Sequence, residues 1–531
     1  MSVTQAIMRS LAETGGRHIF GIPGGECNLD LIAEADEAGL RFVLNRTETA
    51  ATIMASVAAE LTGTPGLIMT TRGPGIASAV NGVAYAALDR APLLVMADGY
   101  EDDQGFISHQ RIDQAAMLRP MLKGESRLDS ADPLAELDGL LDCATAQPPG
   151  PVYIELTGSR IRAAAPPTVK AEAAATASLD QAAIARARAM IGAARRPLIL
   201  AGLQARTDAA SAALHEAVAR LGCPVLTTYK AKGAFPDADP HTLGHYIGGV
   251  AEEAAVRAAD LLILYGFDPV EGPPSSWKYG EIPMLELTEH GFQHPLFEAT
   301  LSVIGPVAGA LPAVLHGAGP SGWPAAELAR FKRGIAAAAR IPTGHGIAPQ
   351  EVVDAAAAAL PASARIAVDA GAHMLPVLHI WQSAEPRQSL ISRGLSTMGF
   401  ALPAAIASSL VDPDRMAVAF TGDGGLMMCL GELGTAIQFG ATPIVVVFND
   451  SALTLIGAKQ RRRQMAAAGL DFSATDFAQV ARGFGWRGYH VSTREELAEA
   501  FAEAAARREA TLIDVEIDPD GYHAQIRALR G

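Results

Sequence analysis

Two unbroken apolar runs, Met-Ala-Val-Ala-Phe at 416–420 and Ile-Val-Val-Val-Phe at 444–448, dominate the second half of the chain. Runs apolar at every position predict strands buried on both faces of a parallel sheet, and residues 421–443 leave room for a crossover helix. The same rhythm recurs elsewhere. A helical pattern over 3–14 leads to a strand at 18–21 and the turn Ile22-Pro23-Gly24-Gly25. Strands follow at 42–44, 66–70, 92–96 and 151–156. Residues 162–177, rich in Ala, Pro and Thr, have linker composition. Strands at 197–201 and 261–265 mark a second unit, closed by a Pro/Gly/Ala-rich stretch at 305–325. A third begins near Ile347, with strands at 365–368, in the two apolar runs, and at 510–515. This alternation predicts three α/β units, each a doubly wound parallel sheet, over 1–165, 178–325 and 345–531.

Composition narrows the class. A chain of 531 residues with 49% hydrophobic content can bury several large cores. A net charge of −15 argues against nucleic acid or an anionic membrane as partner. An anionic cofactor can still bind where backbone amides, helix ends or a metal ion set the local field. The four cysteines, Cys27, Cys143, Cys223 and Cys429, form no CxxC pair and suit a reduced compartment. The first residues lack the apolar core of a signal peptide, and no apolar stretch has membrane-spanning length, so a cytoplasmic protein is expected.

The two runs end in chemistry. Gly422-Asp423-Gly424-Gly425 follows the first and Asn449-Asp450 the second. Both carboxylates therefore fall at carboxyl ends of strands, where open α/β sheets bind ligands. Hard oxygen ligands beside glycine amides suit a Mg²⁺–diphosphate group. A GDGG taken alone also describes an ordinary strand–helix turn. The full pattern, with 450 − 423 = 27 residues between the carboxylates, resembles the signature of thiamine-diphosphate (ThDP) enzymes of the decarboxylase and acetolactate-synthase branch. The resemblance extends over essentially the whole chain. It implies a pyrimidine-binding first domain, a central domain and a diphosphate-binding third domain. It further implies Mg²⁺ on Asp423, Asp450 and the Ala452 position, with the diphosphate at Gly422, Gly424 and Gly425.

Other motifs carry the resemblance. Relatives read RHEQGA where this chain has Arg46-Thr47-Glu48-Thr49-Ala50-Ala51, which makes Glu48 the carboxylate that activates the cofactor ring and leaves Thr47 in place of a His. Taken by itself, Glu48 also fits a helix-start carboxylate. Residues 394–405, GLSTMGFALPAA, resemble a block in which Met398 props the bent cofactor and the Ser396 carbonyl accepts from its amino group. Gly371-Ala372-His373 stands where relatives bind the diphosphate, and Gly24 lies in the PGG turn of acetolactate synthases. Thr71-Arg72-Gly73-Pro74-Gly75 matches a further turn near the cofactor. Gln110 aligns with an active-site Gln; His109 replaces a Phe, as an acid–base group or as a solvated loop residue. Lys459 replaces the Trp that selects small acceptors; it suits a more anionic substrate, or a solvated surface continuous with Arg461-Arg462-Arg463, and the surface is the expectation. Gly266-Phe267-Asp268-Pro269 lacks the Arg of FAD-containing relatives, so FAD is not expected.

The expected function is C–C bond cleavage or formation beside a carbonyl, by an acetolactate synthase-like carboligase or decarboxylase of a 2-oxo acid. A simple benzoylformate-type decarboxylase or a 2-hydroxyacyl lyase is the alternative. The resemblance implies a homodimer or homotetramer with active sites shared between subunits. A nucleotide-dependent oxidoreductase would need a GxGxxG turn, and none fits. A non-enzymatic ThDP-binding homologue would not need Glu48, Asp423 and Asp450 together.

Overall fold

In the computed structural model, which describes residues 1–101, 103, 109–166, 178–272, 277–292, 294, 297–341 and 346–531, the predicted strands fall in three six-stranded parallel sheets, all of them inner except the one at 42–44, which lies at an edge. The first comprises β1 (His18–Ile22), β2 (Arg41–Leu44), β3 (Gly66–Thr70), β4 (Leu93–Asp98), β5 (Gly124–Ser126) and β6 (Pro151–Leu156), in the order β2-β1-β3-β4-β6-β5. The central sheet holds β7 (Pro197–Ala201), β8 (Val225–Thr227), β9 (Thr242–His245), β10 (Leu261–Tyr265), β11 (Met284–Thr288) and β12 (Leu301–Ile304), in the order β12-β11-β10-β7-β8-β9. The third holds β13 (Arg365–Val368), β14 (Ser389–Ile391), β15 (Ala417–Gly422), β16 (Ile444–Asn449), β17 (Arg487–Val491) and β18 (Thr511–Glu516). Its order, β14-β13-β15-β16-β18-β17, repeats the winding of the first sheet. Every residue of β3 and β4 is buried, as is all of β15 and β16 except the last position of each. Helices cover both faces, which is why these strands read as continuous apolar runs.

The outer units share one core. The helix Glu48–Thr62, N-capped by the Thr47 side chain and ended by Gly63 at φ 75°, packs on the helix Ala401–Val411. Both are rich in alanine, and Ala51, Ala55, Ala401, Ala404 and Ala405 lie in the same buried cluster. The buried Glu432 adds a polar tie, accepting from the amides of Arg46 and Thr47 at 3.0 Å each and from Thr435 Oγ1 at 2.7 Å. It fixes the turn that presents Glu48.

The stretch 305–325 differs from its reading as a closing segment. It contains the helix Val307–Leu315, which sends Val307, Ala310, Leu311, Val314 and Leu315 into the central core. The apolar spacing is helical, and Pro312 sits on the exposed side. Of the expected linker at 162–177, residues 167–177 lie outside the described residues.

The central sheet has the strand order of dinucleotide-binding folds, reversing direction between β7 and β10. Its crevice is filled from within. Glu271 accepts from Leu203 N at 2.7 Å and Asp268 N at 3.2 Å, and from the Thr228 hydroxyl. A Cβ on Gly202 would lie 2.6 Å from Glu271 Oε2. Burial pushes the Glu271 carboxyl up to about 7.

Candidate active site

In the third sheet the strand order reverses between β13 and β15, and a cavity of about 650 Å³ opens beside their carboxyl ends. Asp369, directly after β13, braces this edge. Its carboxylate accepts from Gly399 N at 3.1 Å, Phe400 N at 3.0 Å and Thr421 Oγ1 at 2.9 Å, tying the 396–400 loop to β15. Burial raises the Asp369 carboxyl to about 6, which these bonds partly oppose.

Asp423 begins the helix Asp423–Cys429 and is 5% exposed. Its Oδ1 accepts from Gly424 N at 2.6 Å, while Oδ2 is buried with no partner among the described residues. Asp450 follows β16 and accepts from Ala452 N at 3.3 Å and from the Thr454 hydroxyl. Burial, with the Asp423 charge added, pushes Asp450 up to about 6. Asn449 steadies the pair by donating to Asp514 Oδ1 at 2.9 Å. The strained turn at Ser451, φ 53°, brings Ala452 to the cavity wall. With its N–H spent on Asp450 and a methyl side chain, Ala452 offers a ligand only through its carbonyl. Two close carboxylates, one with an oxygen that has no partner among the described residues, and the Ala452 carbonyl form a hard-oxygen set that a divalent cation would satisfy.

Gly371, Ala372, His373, Gly422, Gly424 and Gly425 line the same cavity. His373 stacks on Phe448 with ring centroids 5.3 Å apart, and burial holds it down at about 4. Its Nε2 is buried without a partner among the described residues, and an anion there would favour the protonated ring. The glycines make room: a Cβ at Gly371 would stand 2.6 Å from His373 Cε1, and one at Gly425 2.2 Å from Asp369 Oδ2. Met398 and Ser396 complete this wall, Ser396 in a left-handed conformation at φ 55°. Their loop is pinned where Asp89 accepts from Arg393 N at 2.8 Å and Gly394 N at 3.1 Å. Lys230, fully buried, pairs with Asp89 at 3.1 Å and Glu60 at 2.8 Å, so all three units hold this loop.

The first-unit candidates gather elsewhere, at the carboxyl end of the first sheet. Glu48 is 9% exposed, and a Cβ on Gly75 would lie 3.2 Å from its Oε1. Gly24 donates to Asn28 Oδ1 at 2.9 Å and leaves no room for a Cβ beside Asp98. Gln110, at φ 63°, rests its backbone on Gly73 and accepts from the Tyr100 hydroxyl; His109 is exposed, and Ser108 lies outside the described residues. Among the described residues, none of the first unit lines the cavity.

Among the cavity residues that the sequence did not single out are Tyr229 from the central unit, Tyr522 and Arg530 on the last helix, Gly521–Arg530, and Arg393. Arg393 directly precedes the Gly394 block and was within reach of a motif reading. Tyr522 is 2% exposed, its hydroxyl has no partner among the described residues, and burial and the Asp450 and Asp423 charges raise its pKa. Lys459 is exposed as expected, yet it lines the cavity together with Arg462. The basic run thus begins at the site.

The repeated winding, the paired carboxylates and the glycine-lined cavity at the strand ends define an α/β fold with a ligand crevice at its sheet reversal. Family comparison makes this specific. The N-terminal TPP binding domain of thiamine pyrophosphate enzymes matches residues 1–117, the central domain 184–282, and the C-terminal TPP binding domain 369–515. The chain belongs to the thiamine-diphosphate-dependent enzymes of the acetolactate synthase-like superfamily. It is 27% identical to an acetolactate synthase of Bacillus subtilis, over 97% of this chain and 93% of that protein. It is 28% identical to a 2-hydroxyacyl-CoA lyase of Oryza sativa subsp. japonica, over 96% and 94% respectively. The thiamine diphosphate-dependent 4-hydroxybenzoylformate decarboxylase of Rhodococcus jostii RHA1 shares the fold, with a TM-score of 0.85 at 22% identity over 98% of this chain and 99% of that one. No described helix is long and apolar enough to cross a membrane.

Proposed function

We propose that this chain is a ThDP- and Mg²⁺-dependent enzyme that cleaves or forms a C–C bond beside the carbonyl of a 2-oxo acid. The carrying observation is the Asp423/Asp450 pair with its orphaned Oδ2, at the strand ends that hold the glycine cradle. Asp423, Asp450 and the Ala452 carbonyl hold the ion. His373 and the amides of the Gly371–Ala372 and Gly424–Gly425 turns take the diphosphate. When bound, ThDP supplies a carbon nucleophile and an electron sink. Met398 supports the cofactor and the Ser396 carbonyl accepts from its amino group.

Glu48 shares a proton with the cofactor ring across a subunit boundary. The reason for invoking a second copy is that Glu48, Gly24, His109 and Gln110 stand apart from the cavity of their own chain. The active unit is then a homodimer or a pair of dimers, with Gln110 positioning the substrate and His109 exchanging its proton.

Incubation with ThDP, Mg²⁺ and a panel of 2-oxo acids, following CO₂ release and product by NMR, tests this reading. Turnover requiring both cofactors is expected. An aldehyde product identifies a decarboxylase, and a 2-hydroxyketone or acetolactate-type acid a carboligase. Cleavage of 2-hydroxyacyl substrates alone identifies a lyase. Loaded protein that turns over none of these overturns the proposal.

A further inference from the structure

Four cations, Arg393, Lys459, Arg462 and Arg530, line the cavity against two carboxylates, Asp423 and Asp450, in a chain whose net charge is −15. The excess is local and comes from separate segments. Arg393 stands at the head of the 394–400 loop and is oriented by a 2.9 Å bond from its guanidinium to the Glu271 carbonyl of the central unit. Arg530 comes from the last helix and lines the same cavity wall as Tyr229, whose phenol its charge acts upon. Arg393 is close enough for its charge to act on the same phenol. Among the described residues neither guanidinium forms an ion pair, although most other arginines with this degree of burial do. Tyr229 is itself fixed by His379 Nε2 at 3.0 Å. Two guanidiniums with unspent donors thus line one cavity with a fixed aromatic ring. Such an arrangement recognises a carboxylate or phosphate-like group by charge-assisted bonds.

We infer that Arg393 and Arg530, with Tyr229, form an anion subsite that holds a second anionic group of the substrate, so that the preferred substrate is a dianionic 2-oxo acid or acceptor. The inference rests on the 2-oxo acid reading above. The cofactor does not need these arginines, because its diphosphate already meets Mg²⁺, His373 and the glycine amides. The carboxylate that leaves does not suit them either. Decarboxylation disperses its charge, so a guanidinium pair upon it would hold the ground state more tightly than the transition state. Arginines fit an anion that stays, and anchoring it places the carbonyl at the reacting end.

The test is calorimetric titration of the ThDP- and Mg²⁺-loaded protein with unreactive probes. Succinate and glutarate are the dianions; butanoate and pentanoate are their monoanionic counterparts. One dianion should bind at least about tenfold more tightly than its counterpart. Arg530→Met and Arg393→Met should each remove that preference and leave ThDP affinity unchanged, and Arg530→Lys should restore part of it. In parallel, kcat/KM for 2-oxoglutarate over 2-oxohexanoate should collapse in the Met variants. Equal binding of dianion and monoanion by the wild type overturns the subsite. So does a loss of ThDP affinity in step with the loss of probe, which would assign the arginines to the diphosphate. A dianion preference that depends on both arginines, in a protein that turns over no 2-oxo acid, supports the subsite and fails the proposed reaction instead.

Discussion

Glu48 and Glu271 are both buried carboxylates, and their surroundings give them opposite tasks. Glu48 is placed by the Thr47 cap and the Glu432 tie, with its oxygen beside Gly75. Glu48→Gln keeps size and a hydrogen bond but cannot stabilise a protonated cofactor ring. The expected result is a fall in kcat of about 10²–10⁴ with a far smaller change in ThDP affinity. The C2–H/D exchange of bound ThDP, followed by NMR after acid quench, should slow in proportion; an unchanged rate would leave Glu48 as a helix-start carboxylate alone. Glu271 instead lives with a carboxyl pushed up to about 7 by burial. Its folded pKa exceeds the unfolded value near 4.5, so the folded state binds the extra proton between the two. Stability from this group is therefore present at low pH and lost as pH rises towards about 7. Glu271→Gln should flatten that part of the dependence, since the Thr228 hydroxyl can reverse to accept from the new amide. Thermal unfolding of both proteins between pH 5 and 8 checks it, and parallel curves would refute it.

At the scale of elements, the site is a set of turns braced by one another. Asp369 joins β13, β15 and the 399–400 amides, and the missing Cβ of Gly425 is what lets it do so. Gly425→Ala should displace that carboxylate, costing about 1–3 kcal/mol and weakening ThDP binding. Gly422→Ala, whose Cβ would meet His373 only at 3.3 Å, should be the milder of the two. Melting temperatures and ThDP titrations in the reverse order would refute the bracing role. These turns were legible in the sequence because glycine and aspartate recur at strand ends, and most inner strands because burial on both faces makes them apolar throughout; β8, three residues long, and β11, interrupted by Glu286, were not. Nor were most of the edges. β5, β9, β12, β14 and β17 each end a sheet. They are three to five residues long, and β12 alternates buried and exposed positions. Such strands carry little pattern to read. Arg530 and Tyr522 escaped for another reason: they reach the cavity by tertiary packing of the last helix, which no local spacing encodes.

At the scale of the whole molecule, the first and third units wind alike, share a core, and present their candidate residues at separate places in one chain. Mixed dimers of Glu48→Gln and Asp423→Ala chains should then contain one doubly damaged site and one intact site. Recovered turnover after proven subunit exchange is the expected outcome; exchange without recovery would place each complete site within a single chain. The central unit contributes differently, supplying Tyr229 and the carbonyl that aims Arg393. Its sheet has the winding of a nucleotide binder, yet the seat at the strand reversal is taken by the Glu271 carboxylate, on an amide and a hydroxyl that would otherwise greet a phosphate. The chain carries its own surrogate ligand there. Anyone wishing to install a redox partner in this unit would gain nothing by adding an arginine to the Gly266 turn first; the tenant has to be evicted before a new one can be housed.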